Sequence, residues 1–180
     1  MNEYKNLVAR KFQAYSQPHC ALYGVIAEML SYHPARVLEV GFGIGYGIQQ
    51  LIQKNCLKYY VGIEPDKENY DYVMHQSKMP NLDRLINSGW LEADIGTEMF
   101  DFTLCIEVVE HTPKNLISQF VKKLHDHTKG VLFLSTPDIN TNRHGIFTKA
   151  EIVEALKLSG FKDVVDIEWQ IPFTLYMCKA

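Results

Sequence analysis

Over residues 18–32 the apolar positions Leu22, Val25, Ile26, Met29 and Leu30 recur every three or four residues, the spacing of one helix face, and His33-Pro34 closes the segment. Residues 36–40 then form a short apolar strand. A glycine series follows and leads into a second helical pattern at Ile48, Leu51 and Ile52. The same unit repeats: a strand over residues 59–63, then Asp66 as the cap of a helix whose apolar positions are Tyr70, Val73 and Met74. Two successive β-α units imply parallel pairing, since a helix is the crossover that parallel strands need.

Three nearly uninterrupted apolar runs continue the series, at residues 84–88, 102–106 and 131–134, as expected of strands covered by helices on both faces. Ile117, Phe120, Val121 and Leu124 mark a helix between the last two. Thr148 and Glu151 have the spacing of a capping box, and the helix they open runs through Leu156 to a stop at Gly160. Residues 164–169 and 173–178, separated by a turn with Pro172, predict a terminal antiparallel pair. The order predicts a three-layer, doubly wound α/β sheet, mostly parallel with a C-terminal antiparallel strand.

A chain of 180 residues fits one domain, here a helical cap over residues 1–34 and a core over 35–180. No apolar run approaches the ~20 residues of a membrane-spanning helix, and the Met1-Asn2-Glu3-Tyr4-Lys5 start lacks the pattern of a secretion signal. A cytoplasmic location is expected, and Cys20, Cys56, Cys105 and Cys178 are too scattered for a zinc site or a disulfide framework. The formal net charge of -3 gives no general attraction to a phosphate backbone, so no nucleic-acid partner is expected.

The chemistry-bearing turn is Glu39-Val40-Gly41-Phe42-Gly43-Ile44-Gly45-Tyr46-Gly47, between the first strand and its helix. Positions without side chains let the backbone turn sharply and approach a ligand, and the helix N-terminus behind favours a carboxylate or phosphate. Glu64 closes the second strand, where a carboxylate can accept hydrogen bonds from both hydroxyls of a ribose. The pair suggests an adenosine cofactor. A nicotinamide cofactor prefers G-x-G-x-x-G, whereas the sixth position counted from Gly41 is Tyr46.

Residues 37–45, 60–66, 100–111 and 130–137 resemble, in order, motifs of the class I S-adenosylmethionine-dependent methyltransferases, and the resemblance covers most of the chain. It implies a Rossmann-like fold and S-adenosylmethionine as cofactor. Glu39 and the Gly41, Gly43 and Gly45 backbone would hold the methionine portion, Glu64 the ribose, and Ile106 and Glu107 would border the methionine end. The acidic residue that often receives the adenine amino group in this family has Gly89-Trp90 as its nearest counterpart. Trp90 would lie against the adenine face, or Asp94 would reach the amino group; burial of the indole in the core is the other reading.

Methyl transfer from a sulfonium requires mainly alignment and exclusion of water, plus a group to take the acceptor's proton. His111, after the fourth strand, is the first candidate, with Glu107 beside it and Glu110 next to it. His144 would contribute from the connection after the fifth strand. Glu107, Glu110 and His111, with His144, also resemble the ligand set of metal-dependent methyltransferases that modify small-RNA 3′ ends, which would hold Mg²⁺ or Mn²⁺. The same E-x-x-E-H string resembles that of metal-independent members acting on small molecules, and no metal ligand is assigned. With a single domain and an acidic balance that disfavours RNA, the expected acceptor is a small molecule with an oxygen or nitrogen nucleophile. Specificity would come from the N-terminal helix, with Tyr15 and His19 near the entrance, and from the connection between Ser135 and Thr148. Alternatives are a cofactor-binding module without catalysis, a metal-dependent RNA 2′-O-methyltransferase and a nicotinamide-dependent oxidoreductase. Oligomeric state is left open.

Overall fold

The computed structural model describes residues 17–30, 34–75, 82–137, 147–167 and 173–180. In chain order its elements are α1 (Gln17–Leu30), β1 (Ala35–Val40), α2 (Tyr46–Gln53), β2 (Leu57–Ile63), α3 (Lys67–His75), β3 (Arg84–Ile86) and β4 (Phe100–Ile106). Two short 3-10 turns, Val109–His111 and Lys114–Leu116, lead into α4 (Ile117–His127), β5 (Thr128–Pro137), α5 (Lys149–Leu158), β6 (Lys162–Ile167) and β7 (Phe173–Lys179).

The strands form one seven-stranded sheet in the order β3-β2-β1-β4-β5-β7-β6. β1, β2, β3, β4 and β5 pair in parallel, whereas β7 is antiparallel to both β5 and β6. The doubly wound expectation therefore holds, with one addition. β7 enters between β5 and β6, pairing Val131 with Lys179 through to Pro137 with Phe173, and this extends β5 well beyond the four residues expected of it. β3 is shorter than predicted because Asn87 leaves the ladder and donates its side-chain amide to the carbonyls of Glu64 (2.8 Å) and Pro65 (3.2 Å).

Strand alternation divides the core into two layers. On one face Val37, Tyr60, Leu104, Phe133 and Leu175 meet α1, α2 and α3. On the other, Leu38, Val61, Cys105, Leu132, Leu134 and Tyr176 meet α4 and α5 through Phe120, Val121, Leu124, Ile152 and Leu156. In α1 the row Leu22, Ile26, Leu30, with Tyr23 and Ala27, is buried, whereas Val25 and Met29 face outward. Met74 of α3 is also exposed. The three-and-four periodicity thus marked a stripe wider than the sheet covers. The capping box at the start of α5 forms as predicted: Thr148 Oγ1 accepts from the Glu151 N–H, and the Glu151 carboxylate accepts from the Thr148 N–H.

Strand order reverses direction at β1, with β2 on one side and β4 on the other. In such sheets the crevice outside the carboxyl ends of the strands is where ligands bind.

Candidate active site

A cavity of about 290 Å³ opens at that crevice. Its walls come from the β1–α2 turn and first turn of α2 (Gly41 to Ile44, Tyr46, Gly47), from Glu64, Pro65, Asp66 and Asn69 after β2, from Ile106, Glu107, Val108 and His111 after β4, and from Tyr23 of α1. Glycine loop, second-strand acid and E-x-x-E-H segment therefore share one space.

The β1–α2 turn needs its glycines. Gly41 has φ +77°, and a Cβ there would lie 2.3 Å from Val108 Cγ2, so the loop after β4 closes directly over the turn. At Gly47 a Cβ would lie 2.2 Å from Cε1 of Tyr23 and 2.6 Å from Oε1 of Glu39, which fixes how closely α1 and β1 approach α2. The first N–H groups of a helix have no intrahelical acceptor, so the start of α2 presents donors and a positive dipole end to the cavity.

Glu64 braces this turn. Its Oε2 accepts from the Gly43 N–H at 2.8 Å, and its Oε1 from the Asp66 N–H at 2.9 Å and the Asn69 side chain at 3.3 Å. An ionised carboxylate offers about four acceptor positions, so three are occupied within the protein. A ribose would gain one hydroxyl contact directly, and a second by displacing the longest bond, that from Asn69.

Glu39 departs from the expectation that it holds the methionine portion directly. Strand alternation turns it toward the α1 side, where it is fully buried beneath the cavity wall. The Tyr23 hydroxyl donates to its Oε1 at 2.7 Å and the Tyr60 hydroxyl to its Oε2 at 2.6 Å. Burial pushes its pKa up to about 7, while the two phenol hydrogen bonds hold it down. Trp90 departs as well: its indole is 4% exposed, in the layer under α4, and does not line the cavity. Its N–H donates to the Phe120 carbonyl at 3.1 Å, and the Lys123 ammonium lies 4.6 Å from its ring centre. Core burial, the other reading of this residue, is what the structure has. Asp94 accepts from the Gly96 N–H at 2.9 Å and also lies outside the cavity. Gly45 caps α2 in a left-handed conformation without itself lining the space.

The β4 side is electrostatically different. Glu107 has φ 56°, rare for a residue with a side chain, and its N–H and Oε1 both bond Ser135 Oγ, at 3.0 and 2.7 Å. Burial pushes its carboxyl up to about 7, against the lowering bond from Ser135. Glu110 is buried, its Oε2 without a hydrogen-bond partner among the described residues. Burial, then the Glu107 charge, pushes it up to about 8. His111 reaches into solvent with its Nε2 3.9 Å from Glu110 Oε1. Among the described residues no group of three or more His, Cys, Asp or Glu side chains could hold a metal ion. His144 and Tyr15 lie outside the described residues, and of His19 only the backbone, in α1, is described.

Sequence reasoning missed Tyr23 as a wall of the cavity; its only signal was its place beside Leu22 on the buried stripe of α1. It also missed Asn69, in the first turn of α3.

A glycine turn at the strand-order switch, faced by a carboxylate after the second strand, defines the Rossmann-like class of α/β proteins. Residues 16–166 match the methyltransferase domain family, and the chain belongs to it. No curated protein matches the chain by sequence. The fold is similar to that of magnesium protoporphyrin IX methyltransferase from Synechocystis, solved with bound SAM (S-adenosylmethionine) (TM-score 0.73, 15% identity, covering 89% of this chain and 79% of that one). It is also similar to the N-methyltransferase NodS from Bradyrhizobium japonicum (TM-score 0.72, 14% identity, 92% and 98% covered). A third similar fold is 1,6-didemethyltoxoflavin-N1-methyltransferase from Burkholderia thailandensis, solved with 1,6-didemethyltoxoflavin and S-adenosylhomocysteine (TM-score 0.73, 14% identity, 98% and 86% covered).

Proposed function

We propose that this methyltransferase uses S-adenosylmethionine and methylates an oxygen or nitrogen nucleophile of a small molecule. The observation that carries the reading is the shared cavity: the glycine turn and Glu64 on one wall, Glu107 and His111 on the other. The residues fit the cofactor. The first turn of α2 offers N–H donors for its carboxylate, Glu64 has acceptor capacity for its ribose, and Ile106 gives an apolar border between the two halves.

When bound, this cofactor supplies an electrophilic methyl group on a positively charged sulfonium. The chain's own contribution is alignment, water exclusion and proton removal. Val108, closed over Gly41, narrows the space beside the reacting centre. Glu107, with a pKa of about 7, is matched to accept a proton near neutral pH, and His111, at the open side, passes it to solvent. Within one domain, α1 serves as the cap and the elements from β1 onward as the core. Scattered cysteines, three of them buried and free, suit a reducing cytoplasm.

The test is incubation with methyl-labelled S-adenosylmethionine and fractionated metabolite pools. The expected result is one labelled small molecule heavier by one methyl group, formed with an equal amount of S-adenosylhomocysteine. Cofactor binding without transfer to any pool contradicts the catalytic reading, and absence of binding contradicts the cofactor.

A further inference from the structure

Glu39 is the most deeply buried acid around the site, and its carboxylate does not reach the cavity. What reaches the cavity is Tyr23, whose hydroxyl it holds at 2.7 Å. We infer that Tyr23 is a positioning residue for the cofactor's amino-acid end, and that Glu39 acts only through it, latching α1 onto the start of α2. The inference rests on the S-adenosylmethionine reading above.

Three observations converge on that latch. The Tyr23 ring meets Tyr46, the first residue of α2, edge to face, with centroids 6.4 Å apart and planes at 60°. Both rings line the cavity. The ring is also so close to Gly47 that no Cβ fits between them, so its position and that of the α2 N-terminus are one variable. Away from this point α1 is held by the buried apolar side chains Leu22, Ile26, Ala27 and Leu30, by the Cys56 thiol donating to the Ala27 carbonyl at 3.2 Å, and by the Lys54–Glu28 ion pair at 2.8 Å; at the cavity end the Tyr23 hydroxyl is the polar tie to the sheet. That hydrogen bond to a fixed carboxylate on β1 sets the register of α1 there. Tyr60, from β2, donates to the other oxygen of Glu39 but lies outside the cavity, so it orients the carboxylate without touching the ligand.

The test is calorimetry with S-adenosylhomocysteine on four proteins: the native chain, Tyr23→Phe, Tyr60→Phe and Glu39→Gln. Tyr23→Phe keeps the ring and loses the latch, and its Kd should rise about tenfold, with kcat in the labelled assay nearly unchanged. Tyr60→Phe should lower thermal stability and leave Kd within about twofold. Glu39→Gln keeps an acceptor for Tyr23 and should bind within about threefold of the native chain, whereas a carboxylate that contacted the cofactor's ammonium directly would lose far more. In the native chain, hydrogen exchange across α1 should slow on adding S-adenosylhomocysteine; this arm needs no variant to fold. Equal Kd values for Tyr23→Phe and the native chain, a collapse of affinity in Glu39→Gln, or unchanged exchange in α1 would overturn the inference. Failure of the native chain itself to bind would instead overturn the cofactor reading.

Discussion

The two sides of the cavity differ in how their acids are bonded. On the β1–β2 side both acids are satisfied: Glu39 carries two phenol hydrogen bonds, and Glu64 carries three bonds from Gly43, Asp66 and Asn69. On the β4–β5 side Glu107 sits on a strained backbone, and Glu110 has a buried oxygen with no partner among the described residues. A fully bonded wall is rigid and pre-shaped for a ligand of fixed form. On the other side Glu107 borders the cavity with a carboxyl pushed up to about 7 and can exchange a proton there near neutral pH, whereas Glu39, also pushed up to about 7, is sealed beneath its wall. The contrast matches the proposed division between holding and reacting, and each half can be broken by itself.

The largest effect is expected at the binding wall. Gly41→Val places a branched side chain at φ +77° and into Val108, and should weaken S-adenosylhomocysteine binding roughly 1,000-fold, or ~4 kcal/mol, by calorimetry. Binding that survives would mean the turn is not the cradle.

At the reacting wall, His111→Ala should lower kcat about 100-fold in the labelled-methyl assay while leaving the Kd for S-adenosylhomocysteine within about twofold. Unchanged turnover would remove the imidazole from the proton path.

Glu110 and Glu107 also couple this wall to stability. Their folded-state pKa values, about 8 and about 7, lie above those of an unfolded chain, so the folded form binds protons more tightly. Their contribution is therefore fully present below about pH 4.3 and is lost as pH rises through 7 and 8. Denaturant melts should show Glu110→Gln more stable than the native chain by ~1–3 kcal/mol at pH 8.5, and a shallower loss between pH 5 and 8. A native chain whose stability rises over that interval would contradict the burial of these charges.

Trp90→Phe should have the smallest effect, ~1 kcal/mol of stability from the lost bond to Phe120, with cofactor affinity unchanged. A loss of affinity would return the indole to the cofactor site.

The binding wall was also the more legible in the sequence. Glycine spacing and an acid at a strand end are local features, set by what a tight turn and a strand terminus require, so Gly41, Gly43 and Glu64 stand where the sequence put them. That Glu39 does not line the cavity is not legible from the motif, which marks its place in the chain but not its face. Alternation along β1 decided that it points at Tyr23 and Tyr60, one from a helix 16 residues earlier and one from a strand 21 residues later. Trp90 was open for the same reason: only the position of α4 tells whether an indole after β3 turns to the ligand or to Phe120. Insertion of β7 between β5 and β6 left no local trace, since a hairpin pattern is the same whichever strand takes the edge. That Glu110 Oε2 has no partner among the described residues is likewise a product of packing.

The most direct measurement is a crystal structure with S-adenosylhomocysteine at saturation. The ribose hydroxyls should meet Glu64, the carboxylate should lie along the first turn of α2 beside Tyr23, and the sulfur should face Glu107 across the cavity. The same molecule bound away from the β1–β4 crevice, or with its ribose out of reach of Glu64, would contradict the division of the site into a holding wall and a reacting one.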